Sequence, residues 1–323
     1  MVFLKKIGIV GAGNYGTAIA QCFSRKAEEV LLISIEDAVT TNIEKLRMNM
    51  KSLPGVLLNP NISCSSVFSR IQCCDVVFLA VPLAAVASVC RQIKDNGAIS
   101  SPVILCSKGF DVENGRLQSD LFEDVLGNDY AIFSGPSFAR EIAQGLPAGV
   151  NIASKKCELA MNVAESLSSE MFKIEAIDDP VGLQVAGALK NVLAIGCGIL
   201  SGLKLGNSAI AKLITEGLGE MSAMAIALGG KGETISKLGG VGDTVLTCTS
   251  RQSRNVLFGE YLAADGDRDE WTGPLVEGAF ASRAIPAFCR KLHLDLGIFS
   301  CIHSIIYEKT PAIDLILEIM HAR

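Results

Sequence analysis

Histidine is nearly missing from this chain: three among 323 residues, His293, His303 and His321, all near the C-terminus and outside any recognisable motif. Histidine is the side chain most used to exchange protons near neutral pH, so any such step here must fall to another group. Dense basic runs are also missing and the net charge is −5, which excludes a general nucleic-acid binder. An anionic ligand must then meet a local cluster of Lys and Arg. The eleven cysteines form no C-x-x-C pair, so neither a structural zinc nor any other metal site is expected. Most of them lie in apolar runs (Cys22, Cys90, Cys197, Cys301) as small hydrophobes, the adjacent Cys73-Cys74 reads as two core residues, and a reducing cytoplasm is the expected compartment. The N-terminus runs straight into a strand pattern, so no signal peptide is expected. Val76–Cys90 is apolar but too short to span a bilayer and is broken by Pro82, so no transmembrane segment is expected. Aromatics are sparse and charge is modest, which leaves a Gly-, Ala- and Leu-rich chain with enough length for two domains.

What is present begins at once. Ile7–Val10 is a short apolar strand pattern, and Gly11, Gly13 and Gly16 follow it at G-x-G-x-x-G spacing, leading into the helical Thr17–Phe23. Gly11 permits the tight turn, Gly13 lets the backbone approach a pyrophosphate, and Gly16 lets helix and strand pack closely. Free N–H groups and the positive end of the helix dipole suit the phosphate charge. Gly11, Gly13, Asn14, Tyr15 and Gly16 are therefore the expected dinucleotide-binding set.

Val30–Ile35 reads as the second strand, with Glu36-Asp37 at its end. An acid there hydrogen-bonds the adenine ribose hydroxyls of NAD and repels a 2′-phosphate, and no arginine stands beside it. Glu36 and Asp37 are both candidates, and Asp37 fits a helix cap equally well. NAD is the expected cofactor, ahead of NADP.

Further strands are expected at Asp75–Pro82, Pro102–Cys106, Tyr130–Phe133, Gly149–Ala153 and Phe172–Ile174, alternating with helices. That alternation predicts an α/β fold with an N-terminal Rossmann-type doubly wound parallel sheet. From about Asp179 only helical periodicity remains, over Val181–Ile199, Ala209–Leu228, Leu275–Leu292 and Ile302–Met320. The expected division is a dinucleotide-binding domain over residues 1–184 and an all-helical substrate-binding and dimerisation domain over 185–323.

Ligands of open α/β sheets bind outside the carboxyl ends of the strands. Two loops fall there, one with Lys108 and one with Ser137. Lys108 can meet an anion; Ser137 can donate to substrate or cofactor, or simply hold a turn. Lys190 is the sharper signal, because its neighbours from Gly187 to Ile195 are apolar or small except Asn191. Burying an ammonium is costly unless it is paired or its pKa falls, and a lowered pKa makes lysine a usable acid–base group. A stem that snorkels to solvent is the alternative. Asp243, on a glycine-flanked turn, is the expected counter-charge. Thr247–Asn255 follows it, dense in hydroxyls and with two arginines, a composition suited to a phosphate monoester.

The ordered set GAGNYG, SKGF, GPSFARE, GALKNVLAI, GVGDTVLTCTS and SRN resembles the bacterial type of NAD(P)-dependent glycerol-3-phosphate dehydrogenase, from about residue 5 to about residue 280. The resemblance implies Lys190 as catalytic acid–base, Asp243 as its partner and Lys108 at the junction of cofactor and substrate. It implies Arg254 and Asn255 on the substrate phosphate, with Ser253 and Thr247 lining the site, and Ala139, Arg254 and Glu277 among the cofactor contacts. It also implies a homodimer, a small phosphorylated substrate and a role in glycerophospholipid synthesis. Some positions depart from the family pattern: Glu216 stands where arginine is usual, Ser201 where aspartate is frequent, and the tryptophan and arginine common after the second strand are absent. The last weakens NADP use. Two other readings stay open on the residues: a related dehydrogenase for a 3-hydroxy acid, and a non-catalytic nucleotide sensor.

Overall fold

A computed structural model describes residues 4–97 and 99–321. Contacts divide the chain into two compact units: Met1–Ser107 with Gln118–Pro180, and Lys108–Leu117 with Val181–Arg323. The second unit thus takes an excursion, Lys108–Leu117, out of the first half of the sequence, whereas the expected division at 184/185 was continuous. Its short hairpin is the reason: Phe110 packs edge-on against Phe288, ring centroids 4.9 Å apart, and Leu117 joins the same apolar core.

The first unit is built on β1 (Lys6–Val10), β2 (Glu29–Ile33), β3 (Ile62–Ser65), β4 (Val76–Leu79) and β5 (Val103–Leu105). After the hairpin strands β6 (Phe110–Asp111) and β7 (Arg116–Leu117) come β8 (Tyr130–Ser134), β9 (Ala148–Ala153) and β10 (Phe172–Ile177). The large sheet runs β10-β9-β8-β5-β4-β1-β2-β3. All its pairings are parallel except β8 with β9. The central strands are buried along their length because helices cover both faces, which explains their continuous apolar runs. Phe23, Phe78, Phe133 and Phe172 meet ring to ring beneath it. Strand β3 escaped the sequence reading because Ile62-Ser63-Cys64-Ser65 is short and half polar.

The second unit wraps around the helix Pro180–Gly202, whose Val185, Leu189, Val192, Leu193 and Ile195 are fully buried. It is the described helix long and apolar enough to cross a membrane, yet its apolar window is entirely buried in this core. Gly198 and Gly259 let the helix Arg254–Ala263 approach it closely: a Cβ at Gly259 would lie 2.0 Å from the Ile195 carbonyl. Two expected helices are broken. Leu275–Leu292 resolves into Glu277–Ser282 and Ile285–Leu292, and Ile302–Met320 into Gly297–Tyr307 and Asp314–His321, with Pro311 in the gap.

Candidate active site

In the first unit the glycine loop joins β1 to the helix Asn14–Phe23. Gly11 has φ +111°, a conformation strained for any side chain, and a Cβ there would meet the Ala80 carbonyl at 2.6 Å. At Gly16 a Cβ would lie 1.9 Å from the Gly11 carbonyl oxygen, so helix and turn touch backbone to backbone. Gly13, by contrast, has open space around its missing Cβ, and it starts the helix without any side-chain cap. Helix N–H groups without a side-chain cap, beside a glycine with room around it, suit a pyrophosphate. Asn14 and Tyr15 begin that helix. The Tyr15 hydroxyl lies 3.2 Å from Ser137 Oγ, which itself donates to the Gly135 carbonyl at 2.9 Å, so Ser137 holds its own turn as well as facing Tyr15. Ala139 is the first residue of the next helix, Ala139–Gln144.

Asn49 was not singled out from the sequence. It is fully buried and donates to the Ala12 carbonyl and to Thr17 Oγ1, both at 2.9 Å, pinning the loop from 37 and 32 residues away. A lone Asn in a helix-to-loop segment carries no local signal of that task. Glu36 stands at the N-cap position of the helix Asp37–Leu46 without a side-chain capping bond, Asp37 lies inside the first turn, and the Glu36 carboxylate is ion-paired with Lys51. A cation therefore does stand beside the acid, brought there by the fold from fifteen residues on.

The chemistry-bearing cluster of the second unit is centred on Asp243, 2% exposed. The preceding Leu238–Gly242 forms a π-helical turn that leads into the helix Asp243–Cys248. Lys190, 5% exposed, donates to Asp243 Oδ1 at 2.5 Å and to Thr247 Oγ1 at 2.9 Å. Lys108 donates to Asp243 Oδ2 at 3.0 Å. Two ammoniums, one buried and one partly exposed, thus share one carboxylate, leaving one surplus positive charge at the cluster. Burial pushes the Lys190 ammonium down to about 8, against the opposing pull of Asp243 and with the push of Lys108. Burial alone would raise the Asp243 carboxyl, but Lys108 and Lys190 outweigh it and hold it below the usual carboxylate range.

Arg254 and Asn255 open the helix Arg254–Ala263. Arg254 is exposed and has no hydrogen-bond or ion-pair partner among the described residues, so its guanidinium fork is available to an anion. Ser253 is the helix cap, its side chain accepting from the Val256 N–H. Asn255 is buried and committed: Oδ1 accepts from the Gly278 N–H at 2.9 Å, and Nδ2 donates to Asn191 Oδ1 at 3.1 Å. Asn191 in turn donates to Glu277 Oε2 at 3.4 Å. Asn191 is thus the junction of three helices, a role invisible beside Lys190 in the sequence. The departures are local: Glu216 pairs with Lys212 one turn earlier, and Ser201 Oγ lies 3.5 Å from Glu260.

The structure therefore brings Lys190, Asp243, Lys108 and Thr247 together in one cluster, and Asn255 with Glu277 in another, both in the second unit. Gly11, Gly13, Asn14, Tyr15, Gly16, Glu36, Ser137 and Ala139 belong to the first.

Family models described as the N-terminus and the C-terminus of NAD-dependent glycerol-3-phosphate dehydrogenase match residues 6–160 and 179–317. A glycerol-3-phosphate dehydrogenase [NAD(P)+] of Rhizobium johnstonii is 36% identical over 318 residues, 98% of this chain and 97% of the relative. The crystal structure of glycerol-3-phosphate dehydrogenase from Coxiella burnetii has a TM-score of 0.92 at 32% identity, covering 99% of this chain and all of that one. A ketopantoate reductase from Ralstonia eutropha, at 19% identity and TM-score 0.60, shares the fold alone.

Proposed function

The chain belongs to the NAD-dependent glycerol-3-phosphate dehydrogenase family and is an oxidoreductase that uses NAD or NADP, and on that premise we propose that Lys190 is its general acid–base. The reaction is the interconversion of dihydroxyacetone phosphate and sn-glycerol 3-phosphate. The observation that carries this reading is the Lys190 ammonium, buried, lowered to about 8 and hydrogen-bonded to a carboxylate shared with Lys108.

Gly11, Gly13, Asn14 and Gly16 would hold the dinucleotide, which supplies or takes the hydride at the substrate carbon. The chain's own residues do the rest. In reduction, Lys190 donates a proton from Nζ to the alkoxide oxygen as charge develops there. In oxidation, the neutral amine takes that proton back from the hydroxyl. Asp243 orients Lys190 and keeps its charged form accessible, and Thr247 Oγ1 fixes a second direction of the amine. Lys108 adds positive charge where the oxygen turns negative. Arg254, unpaired among the described residues and placed at a helix N-terminus, grips the phosphate and so orients the small substrate. Asn255 is held in place by Asn191 and Gly278, with one amide hydrogen left for the same anion.

The chain's cysteines are free thiols, which supports a reducing compartment such as the cytoplasm, and glycerophospholipid synthesis is the fitting use of the reduced product. The test is NADH oxidation with dihydroxyacetone phosphate, beside unphosphorylated dihydroxyacetone. We expect turnover that needs the phosphate, falls above about pH 8 in reduction and rises through about pH 8 in oxidation. Lys190→Ala should lose about a hundredfold or more while still binding NADH. Near-normal turnover by that variant would remove Lys190 from the mechanism.

A further inference from the structure

We propose that Lys51 is a specificity-determining residue, pairing with Glu36 so that the adenosine end of the site accepts either a ribose 2′-hydroxyl or a 2′-phosphate. The inference rests on the dinucleotide reading of the first unit and goes beyond it. Glu36 stands just past the carboxyl end of β2, where an acidic group alone would accept ribose hydroxyls and repel a phosphate. In this chain the acid is not alone. Lys51 Nζ donates to Glu36 Oε2, with the two side chains 63% and 48% exposed.

Three features make the pair a selector and not an incidental surface contact. The first is anchoring. Asn49, two residues before Lys51, is fully buried and bonded to the Ala12 carbonyl and Thr17 Oγ1 of the glycine loop. The segment carrying Lys51 is therefore fixed to the cradle meant for the pyrophosphate. The second is that Arg47, the neighbouring guanidinium, is committed elsewhere, donating to the Ile62 and Asn59 backbone carbonyls. Lys51 is the cation of this segment that pairs with Glu36. The third is exchangeability. A solvent-exposed ion pair is weak, so a phosphate dianion can replace the carboxylate as partner of the ammonium at little cost. Lysine also has donors to spare, since one on Glu36 leaves two for a phosphate oxygen.

With a 2′-hydroxyl, Glu36 accepts and Lys51 screens it. With a 2′-phosphate, Lys51 turns to the phosphate and offsets the remaining repulsion from Glu36. The acid alone would select NAD; the pair admits both cofactors.

The test is titration of the full-length protein with NADH and with NADPH, reading dissociation constants from nicotinamide fluorescence, with melting curves to verify folding. Lys51→Gln should shift the NADPH-to-NADH ratio of dissociation constants about tenfold toward NADH, the loss of one charge-assisted bond. Glu36→Gln should shift the ratio the opposite way, and Lys51→Arg should hold it. A merely structural role for Lys51 would move both cofactors together. Equal change in both affinities, or no change in either, overturns the proposal, as does a Glu36→Gln shift toward NADH. If Lys51→Gln does not fold, Lys51→Met removes the same charge and decides the sign, by the same shift toward NADH or its absence. Wild-type protein that binds neither dinucleotide would instead overturn the reading of the glycine loop.

Discussion

Replacing Asp243 with asparagine removes the carboxylate that holds the buried Lys190 and the partly exposed Lys108 together, and the consequence should be read in pH, not only in rate. A carboxylate and an ammonium about 4 Å apart attract by about 4 kcal/mol at an effective dielectric of about 20, a lower bound for the Lys190–Asp243 contact at 2.5 Å. Each ~1.4 kcal/mol is a tenfold change in protonation. Even if water entering the neutralised site screens two-thirds of that attraction, about one pH unit survives. The limb of the ketone-reduction profile, expected at about 8 for the unaltered protein, should therefore move down by about one unit or more. Lys108→Met supplies the opposite sign. Lys108 pushes Lys190 down, so its removal should carry the same limb to higher pH. The assay is kcat for NADH-dependent reduction across pH 5 to about 10 under saturating substrate, with folding verified in each buffer. A limb that stays put in both variants, or moves the same way in both, would refute the shared-carboxylate account even if both enzymes were slow.

Arg254→Gln should raise KM for dihydroxyacetone phosphate by about tenfold to a hundredfold, with little change for the unphosphorylated ketone, in steady-state kinetics. Gly16→Ala places a Cβ 1.9 Å from the Gly11 carbonyl and should destabilise the first unit by about 1–3 kcal/mol and weaken NADH binding, measured by denaturant unfolding and fluorescence titration. Glu220 accepts the N–H groups of Ile298 and Phe299, yet burial first, then Glu318 and Asp295, push its carboxyl up to about 7. Because the folded protein then keeps a proton that the unfolded chain releases near 4.5, this group's stabilisation is present at low pH and lost as pH rises through 7. Glu220→Gln should flatten that slope when denaturation midpoints at pH 5 and about 8 are compared.

Much of the candidate cluster was legible because lysine in an apolar helix is chemically conspicuous. Lys190 stands out against Gly187–Ile195 whatever the fold, and the glycine spacing after β1 marks a turn that only glycine can make. Element boundaries were less legible where local patterns compete. Leu275–Leu292 has continuous helical periodicity but breaks near Arg283, and β3 is too short and polar to announce itself. The hairpin Phe110–Leu117 was hidden for another reason. Its two-residue strands have no periodicity of their own, and they are held by Phe288, far along the chain.

The sequence by itself determined the local chemistry of this protein: a glycine turn at a helix start, buried parallel strands, an ammonium in an apolar helix and an arginine beside hydroxyls. These follow from backbone sterics and hydrophobic periodicity, which act over a few residues. Tertiary structure alone decided which charges meet. Asp243 joins Lys190 from 53 residues away and Lys108 from 135, Asn49 reaches back to the glycine loop, and Lys51 comes to rest against Glu36. Electrostatic partnership depends on distance in space and on burial, and neither is set until the core closes.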